Sequence, residues 1–266
     1  MKGKRIVLVL MTLMVLTATG ALAGCVRVDR LSAEGPVRNR IYTSLAGFTK
    51  VEIGSAFQLE VVPSDNYSVT LTAGQNFLDK LEVKVDDDTL VISMKSWEFG
   101  FNFSQAPRAV ITMPELNGLD LSGAVSATAL DFTTARAFQA KLSGASRLTM
   151  RLVTGPFRMN ASGASRVTGN LTAPSTDIVL SGASSCDLSG TGGDVKINAS
   201  GASNAGLHGF TIGNADVSLS GASVAYLVTD GVIDTNLSGA SRLTYGGQPT
   251  MGTLDISGSS SLRRVD

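Results

Sequence analysis

A chain of 266 residues with one histidine and two cysteines has few routes to covalent chemistry. His208 can fill only one base role. It falls eight residues after Ser200, where equivalent places hold Asn170, Ser189 and Val228, so it reads as a turn residue. Serines abound, yet no Gly-x-Ser-x-Gly elbow occurs, and Gly201-Ala-Ser203-Asn-Ala205 is only a near miss. No lysine stands three residues after a serine. Asp187, Asp194, Asp216 and Asp230 look scattered, without the paired carboxylates of a glycosidase; a polysaccharide-acting β-helix enzyme is the catalytic alternative. Asp86-Asp87-Asp88 offers few of the about six to eight oxygens calcium requires. Gly192-Gly193-Asp194 occurs once, not as a repeated calcium-binding nonapeptide. Cys186 stands where equivalent places hold Ala, Val and Leu, which marks a small buried hydrophobe rather than a reactive thiol. The reading is a non-enzyme with no catalytic residue, metal ligand or cofactor.

The other cysteine sits in a different context. Lys2, Lys4 and Arg5 precede an apolar run from Ile6 to Leu16, the pattern of an export signal too short for a confident membrane span. It ends in Leu22-Ala23-Gly24-Cys25, which resembles the lipobox of bacterial lipoproteins. The resemblance implies that residues 1–24 are removed and that Cys25 takes a diacylglyceryl thioether and further acyl chains such as palmitate. Each buried CH₂ contributes about 0.8 kcal/mol, so several chains would hold firmly to a membrane. Val26 follows, where an Asp would resemble an inner-membrane retention signal, and the expected address is the outer membrane or cell surface.

The elements that would carry a functional face are set by a repeat. Ser-Gly-Ala begins at Ser122, Ser143, Ser162, Ser181, Ser200, Ser220 and Ser238, and Ser257-Gly258-Ser259 is an imperfect eighth copy. Successive offsets are 21, 19, 19, 19, 20, 18 and 19 residues. Each motif follows apolar residues at one and three positions upstream, such as Ile178 and Leu180, with polar residues mostly between them. The same alternation resumes downstream at Leu148, Val167 and Cys186, while Arg147, Arg166, Asn204 and Arg242 face away. Period two marks strands with one buried side.

Nineteen residues cannot hold two strands and a helical crossover. The expected fold is all-β, a single-stranded parallel β-helix (solenoid), right-handed, with about 19 residues per coil. At about 4.7–4.9 Å per strand the seven intervals make a stack roughly 33–34 Å tall. Gly123, Gly144, Gly163, Gly182, Gly201, Gly221, Gly239 and Gly258 become structural turn residues, alanine keeps each corner narrow, and serine hydroxyls pass hydrogen bonds along the ladder.

Upstream, Val51–Ile53, Phe57–Val62, Ser68–Thr72, Leu81–Val85, Leu90–Met94 and Ala109–Met113 read as strands, with Asp86–Asp88 a hairpin turn. The expected organisation is a signal peptide 1–24, a lipid-anchored tether 25–40, a β-rich part 41–118 packed on or continuing the stack, and the repeat region 119–266. Trp97-Glu-Phe-Gly-Phe-Asn-Phe103 reads as a plug over the stack's open end or an inter-strand loop, with a ligand platform as the alternative.

The succession Phe57-Gln-Leu-Glu-Val, Tyr67-Ser-Val-Thr-Leu, Leu81-Glu-Val-Lys-Val, Leu90-Val-Ile, Ile111-Thr-Met-Pro-Glu-Leu116 and Leu119-Asp-Leu-Ser-Gly-Ala124 resembles the auto-transporter adhesin "head GIN" domain family over roughly residues 41–258. The resemblance implies an all-β, β-helix-like fold and an adhesin-like role at the bacterial envelope, and it carries no catalytic residues.

Basic and acidic residues number 22 each, and removing residues 1–24 leaves 19 against 22, so the electrostatic footprint of nucleic-acid binding is absent. The expected partners are a membrane, through the N-terminal lipid, and a surface glycan or envelope protein. A scaffold or stress-linked envelope component without its own ligand is the runner-up. Open strand edges at the last coil invite self-association, with Arg263 and Arg264 placed to block it.

Overall fold

A computed structural model describes residues 35–95 and 105–265. Two parallel sheets face each other across one apolar core, and every coil contributes one strand to each. The first sheet takes the strands that precede the corner, running through Lys50–Ile53, Gly118–Leu121, Phe138–Leu142, Phe157–Ala161 and Ser175–Leu180 to Thr250–Ile256. The second takes those that follow it, from Gln58–Pro63 through Ser126–Thr133, Arg147–Val153 and Arg166–Thr172 to Ser261–Arg264. The result is a parallel solenoid of about eight turns, ~19 residues apart. In two coils the strands Ser185–Ala199 and Asn204–Leu219 continue round the far corner, with register shifts, instead of breaking at a turn.

The alternation in sequence becomes stacked columns inside. Leu142, Ala161, Leu180, Ala199 and Leu219 lie one above another on the first sheet, and Leu148, Val167, Cys186 and Ala205 do so on the second, all buried. One column contains a misfit. Thr235 follows Val217 in an apolar row, and its Oγ1 is buried with no hydrogen-bond partner among the described residues. A buried hydroxyl left unpaired costs about 1–3 kcal/mol. Thr235→Val keeps the β-branched shape and removes that cost, and should raise the unfolding free energy by about 1 kcal/mol at unchanged urea m-value. A less stable variant would show that the hydroxyl has a partner.

At the corners all eight motif glycines adopt positive φ, from 68° to 80°. The backbone carries the ladder. Ala183 N–H donates to Gly163 O and Ala202 N–H to Gly182 O, each at 2.7 Å. Motif alanines point outward and the final serine points in: Ser146, Ser165, Ser184, Ser203 and Ser223 are at most 1% exposed. Five of these hydroxyls donate to the carbonyl of the serine three residues earlier, at 2.7–2.8 Å. Serine hydroxyls therefore chiefly satisfy their own corner and do not run a continuous chain of bonds up the ladder; alanine is not the residue that fills the corner. Contacts to the neighbouring coil are long, as in Ser162 Oγ to Leu142 O at 3.3 Å.

All six strands expected upstream are present, and Asp86–Asp88 is the hairpin turn between antiparallel Leu81–Asp86 and Thr89–Met94. Their order in space is not their order in sequence. Thr89–Met94 pairs with the outer edge of Lys50–Ile53, and Arg108–Met113 with that of Gln58–Pro63. A later segment thus lies below the coil formed by 50–63. The antiparallel strands Ser68–Gly74 and Val37–Tyr42 then close this end, and the short helix Gln75–Leu78 buries Phe77 and Leu78. Val37–Tyr42 begins inside the stretch that reads as tether. At the other end, Thr250–Ile256 leaves Leu254 and Ile256 47% and 44% exposed. No helix among the described residues is long and apolar enough to cross a membrane.

Candidate functional site

Side chains facing out of the first sheet form columns as regular as those facing in. Four residues before each motif serine stand Gln139, Arg158, Asp177, Lys196, Asp216 and Asp234, and strand register places each beside the next. Three aspartates therefore share a column, with Asp216 and Asp234 on adjacent coils. Asp187, Asp194 and Asp230 stand outside this column and are scattered as expected, whereas Asp216 joins Asp177 and Asp234, two acids found only by counting back a fixed four residues from the motif.

These residues border a groove of about 840 Å³ that runs along the stack from Lys50 to Asp234. Its floor includes the buried rings of Phe138 and Phe157, stacked with centroids 5.8 Å apart and planes 11° from parallel. Phe138 and Phe157 are buried at 1% and 2% exposure, so the rings support the floor from inside and offer no open stacking platform. Two ion pairs lie on the rim. Arg158 meets Asp177 at 2.8 Å and Lys196 meets Asp216 at 2.6 Å. Hydrogen bonding to Asp216 holds the Lys196 ammonium above its ordinary pKa. Asp177 Oδ1 is buried without a hydrogen-bond partner among the described residues. Asp234 accepts Thr253 N–H at 2.7 Å, and Asp194 accepts both the backbone and side-chain N–H of Asn214.

Asp216 and Asp234 are register partners whose strands lie about 4.8 Å apart, a backbone spacing near the carboxyl separation used for glycoside cleavage. Here Asp216 is committed to Lys196 and Asp234 to backbone. The arrangement is a row of charged and polar side chains along the stack axis.

The remaining chemistry-bearing residues are dispersed. Cys186 lies in the core of the second sheet, and burial drives its thiol pKa well above the ordinary value, which suppresses the reactive thiolate. His208 is exposed within Asn204–Leu219 at a register irregularity rather than in a turn, and it stacks on Tyr226 of the next coil with centroids 3.7 Å apart. Asp88 turns from its two acidic neighbours to Lys50 at 2.9 Å, and that hydrogen bond holds its carboxyl below the usual range. Leu22, Ala23, Gly24 and Cys25, and the aromatic cluster 97–103, lie outside the described residues.

Residues 47–249 match the family described as "Putative auto-transporter adhesin, head GIN domain". A search among curated proteins found no match. Solved structures share the fold. A protein from Parabacteroides merdae described as a "putative adhesin" superposes with a TM-score of 0.79 at 12% identity, over 89% of this chain and 99% of that one. One from Parabacteroides distasonis described as a "putative lipid binding protein" gives 0.78 at 16%, over 89% and 100%. A "putative adhesin" from Bacteroides fragilis gives 0.68 at 18%, over 88% and 100%. At these identities the likeness is one of fold.

Proposed function

Because the chain belongs to the family described as "Putative auto-transporter adhesin, head GIN domain", we propose that it is a non-enzymatic, lipid-anchored protein of the bacterial envelope that engages a surface partner through its solenoid. The observation that carries the reading is the groove along the first sheet, where charged side chains recur at one strand spacing over successive coils. A catalyst concentrates its reacting groups at one point; a periodic row of paired charges suits recognition of an extended partner.

Leu22-Ala23-Gly24-Cys25 supports attachment at Cys25, and Val26 supports an outer-membrane or surface address. The solenoid then stands on its lipid, separated by the residues before Val37. Expression with labelled palmitate tests the anchor. The wild-type chain should take up label and fractionate with membranes, and Cys25→Ser should do neither. An unlabelled wild type, or a labelled Cys25→Ser, would sink the anchoring claim.

A further inference from the structure

The second sheet carries a different outward face, and its centre is basic. Arg147 and Arg166 are register partners on adjacent parallel strands, both exposed. Neighbouring strands lie about 4.8 Å apart, so two like charges stand nearly opposite each other, an arrangement that costs stability. Several other basic side chains are neutralised instead. Lys50, Arg108, Arg151, Arg158 and Lys196 each face a carboxylate: Asp88, Glu60, Asp131, Asp177 and Asp216. Among the described residues Arg147 and Arg166 have no such partner, although the adjoining coils would accept an acid at Ser126 or Ser185, their register neighbours.

Two residues further along, Thr128, Thr149 and Thr168 form the next outward column. Their hydroxyls make no hydrogen bond among the described residues. Asp187 follows Thr168 and closes the column on that side, while Arg151 beyond it is neutralised by Asp131. The patch thus consists of two unneutralised guanidinium forks beside a row of free hydroxyls. The exposed large apolar residue on these coils, Val153, lies at the far end of its strand.

We propose that this face binds an acidic glycan, a sugar chain carrying carboxylates. Arg147 and Arg166 fork onto carboxylate oxygens, and Thr128, Thr149 and Thr168 exchange hydrogen bonds with ring hydroxyls. Planar guanidinium matches carboxylate bidentately. A hydroxyl-rich ligand uses the threonine column, which a lipid surface would leave idle. The proposal rests on the interaction role inferred above and names its ligand class, on a face separate from the groove.

The test is a titration of the full chain in detergent with oligogalacturonate, beside its carboxyl-reduced, neutral counterpart and phosphatidylglycerol in mixed micelles of the same detergent. Wild type should bind oligogalacturonate saturably, more weakly as salt is raised, and the neutral chain at least about tenfold more weakly. Arg147→Gln/Arg166→Gln should lose about tenfold or more in affinity with an unchanged or higher melting temperature, because a like-charge pair is removed. Arg147→Lys/Arg166→Lys should fall between, keeping charge without the fork. No saturable binding by wild type, equal affinity in the Gln variant, equal binding of the neutral chain, or binding to phosphatidylglycerol micelles alone would overturn the proposal. The ligand should be recovered intact. Shortened oligogalacturonate would instead overturn the non-enzymatic reading, and the palmitate experiment scores the anchor separately.

Discussion

Gly182→Ala is expected to destabilise the solenoid by about 2–5 kcal/mol, from two additive causes. The αL conformation costs a residue with a Cβ about 1–2 kcal/mol, and Gly182 sits at φ 74°. The added Cβ would also meet Gly163 O at 2.6 Å, and overpacking of this kind costs about 1–3 kcal/mol. That carbonyl already accepts Ala183 N–H, so relief by moving it loosens a rung of the ladder. Gly47→Ala separates the causes: Gly47 has φ 82° but nothing within 4 Å of its would-be Cβ. It should cost about 1–2 kcal/mol. Equal losses at the two positions in denaturant melts would refute the steric half of the argument. Because stability in a stacked array is largely a nearest-neighbour quantity, hydrogen exchange should accelerate first around residues 163–201.

The second large effect is expected at Phe157. The ring is 2% exposed and stacks on Phe138, while the next coil places Thr176 in the same column. Phe157→Ala removes the ring stack and leaves a void beneath the groove floor, at a cost of about 3–5 kcal/mol. Phe157→Leu refills most of the volume and should cost about 1.5 kcal/mol or less. Similar losses for both variants, read from urea melts, would mean that the site collapses around the smaller side chain and no cavity survives.

Most of the architecture can be read from residue types alone. Alternation at positions one and three before each motif fixes the inward columns, and the six upstream strands follow from the same period. What escapes is whatever depends on contacts between distant segments. The first rung of the ladder is Ser55, which takes φ 71° below Gly123 and accepts Ala124 N–H. Its corner, Gly54-Ser55-Ala56-Phe57, has no glycine at the left-handed position, so no motif marks it. The inward turn of the last motif serine is equally hidden, because its burial depends on a local carbonyl that serves as acceptor. Val125, which replaces that serine in the copy at Ser122, is the one hint that this place faces the core. The aspartate column is visible once residues are counted from the motif, and Arg147 and Arg166 are visible as outward residues. That both lack a counter-charge needs coordinates.

The coil formed by residues 50–63 lies between 118–133 on one side and the segment spanning 89–113 on the other. During synthesis it therefore emerges before either of its neighbours, and its pairing partners on one side follow only from Thr89 and Arg108 onward. From Gly118 onward each new coil finds its template already laid down and can add by zippering, one turn at a time. Nascent chains cut back from the C-terminus should thus retain a protease-resistant base as whole turns are removed, whereas loss of the residues up to 63 leaves the growing stack without its founding turn.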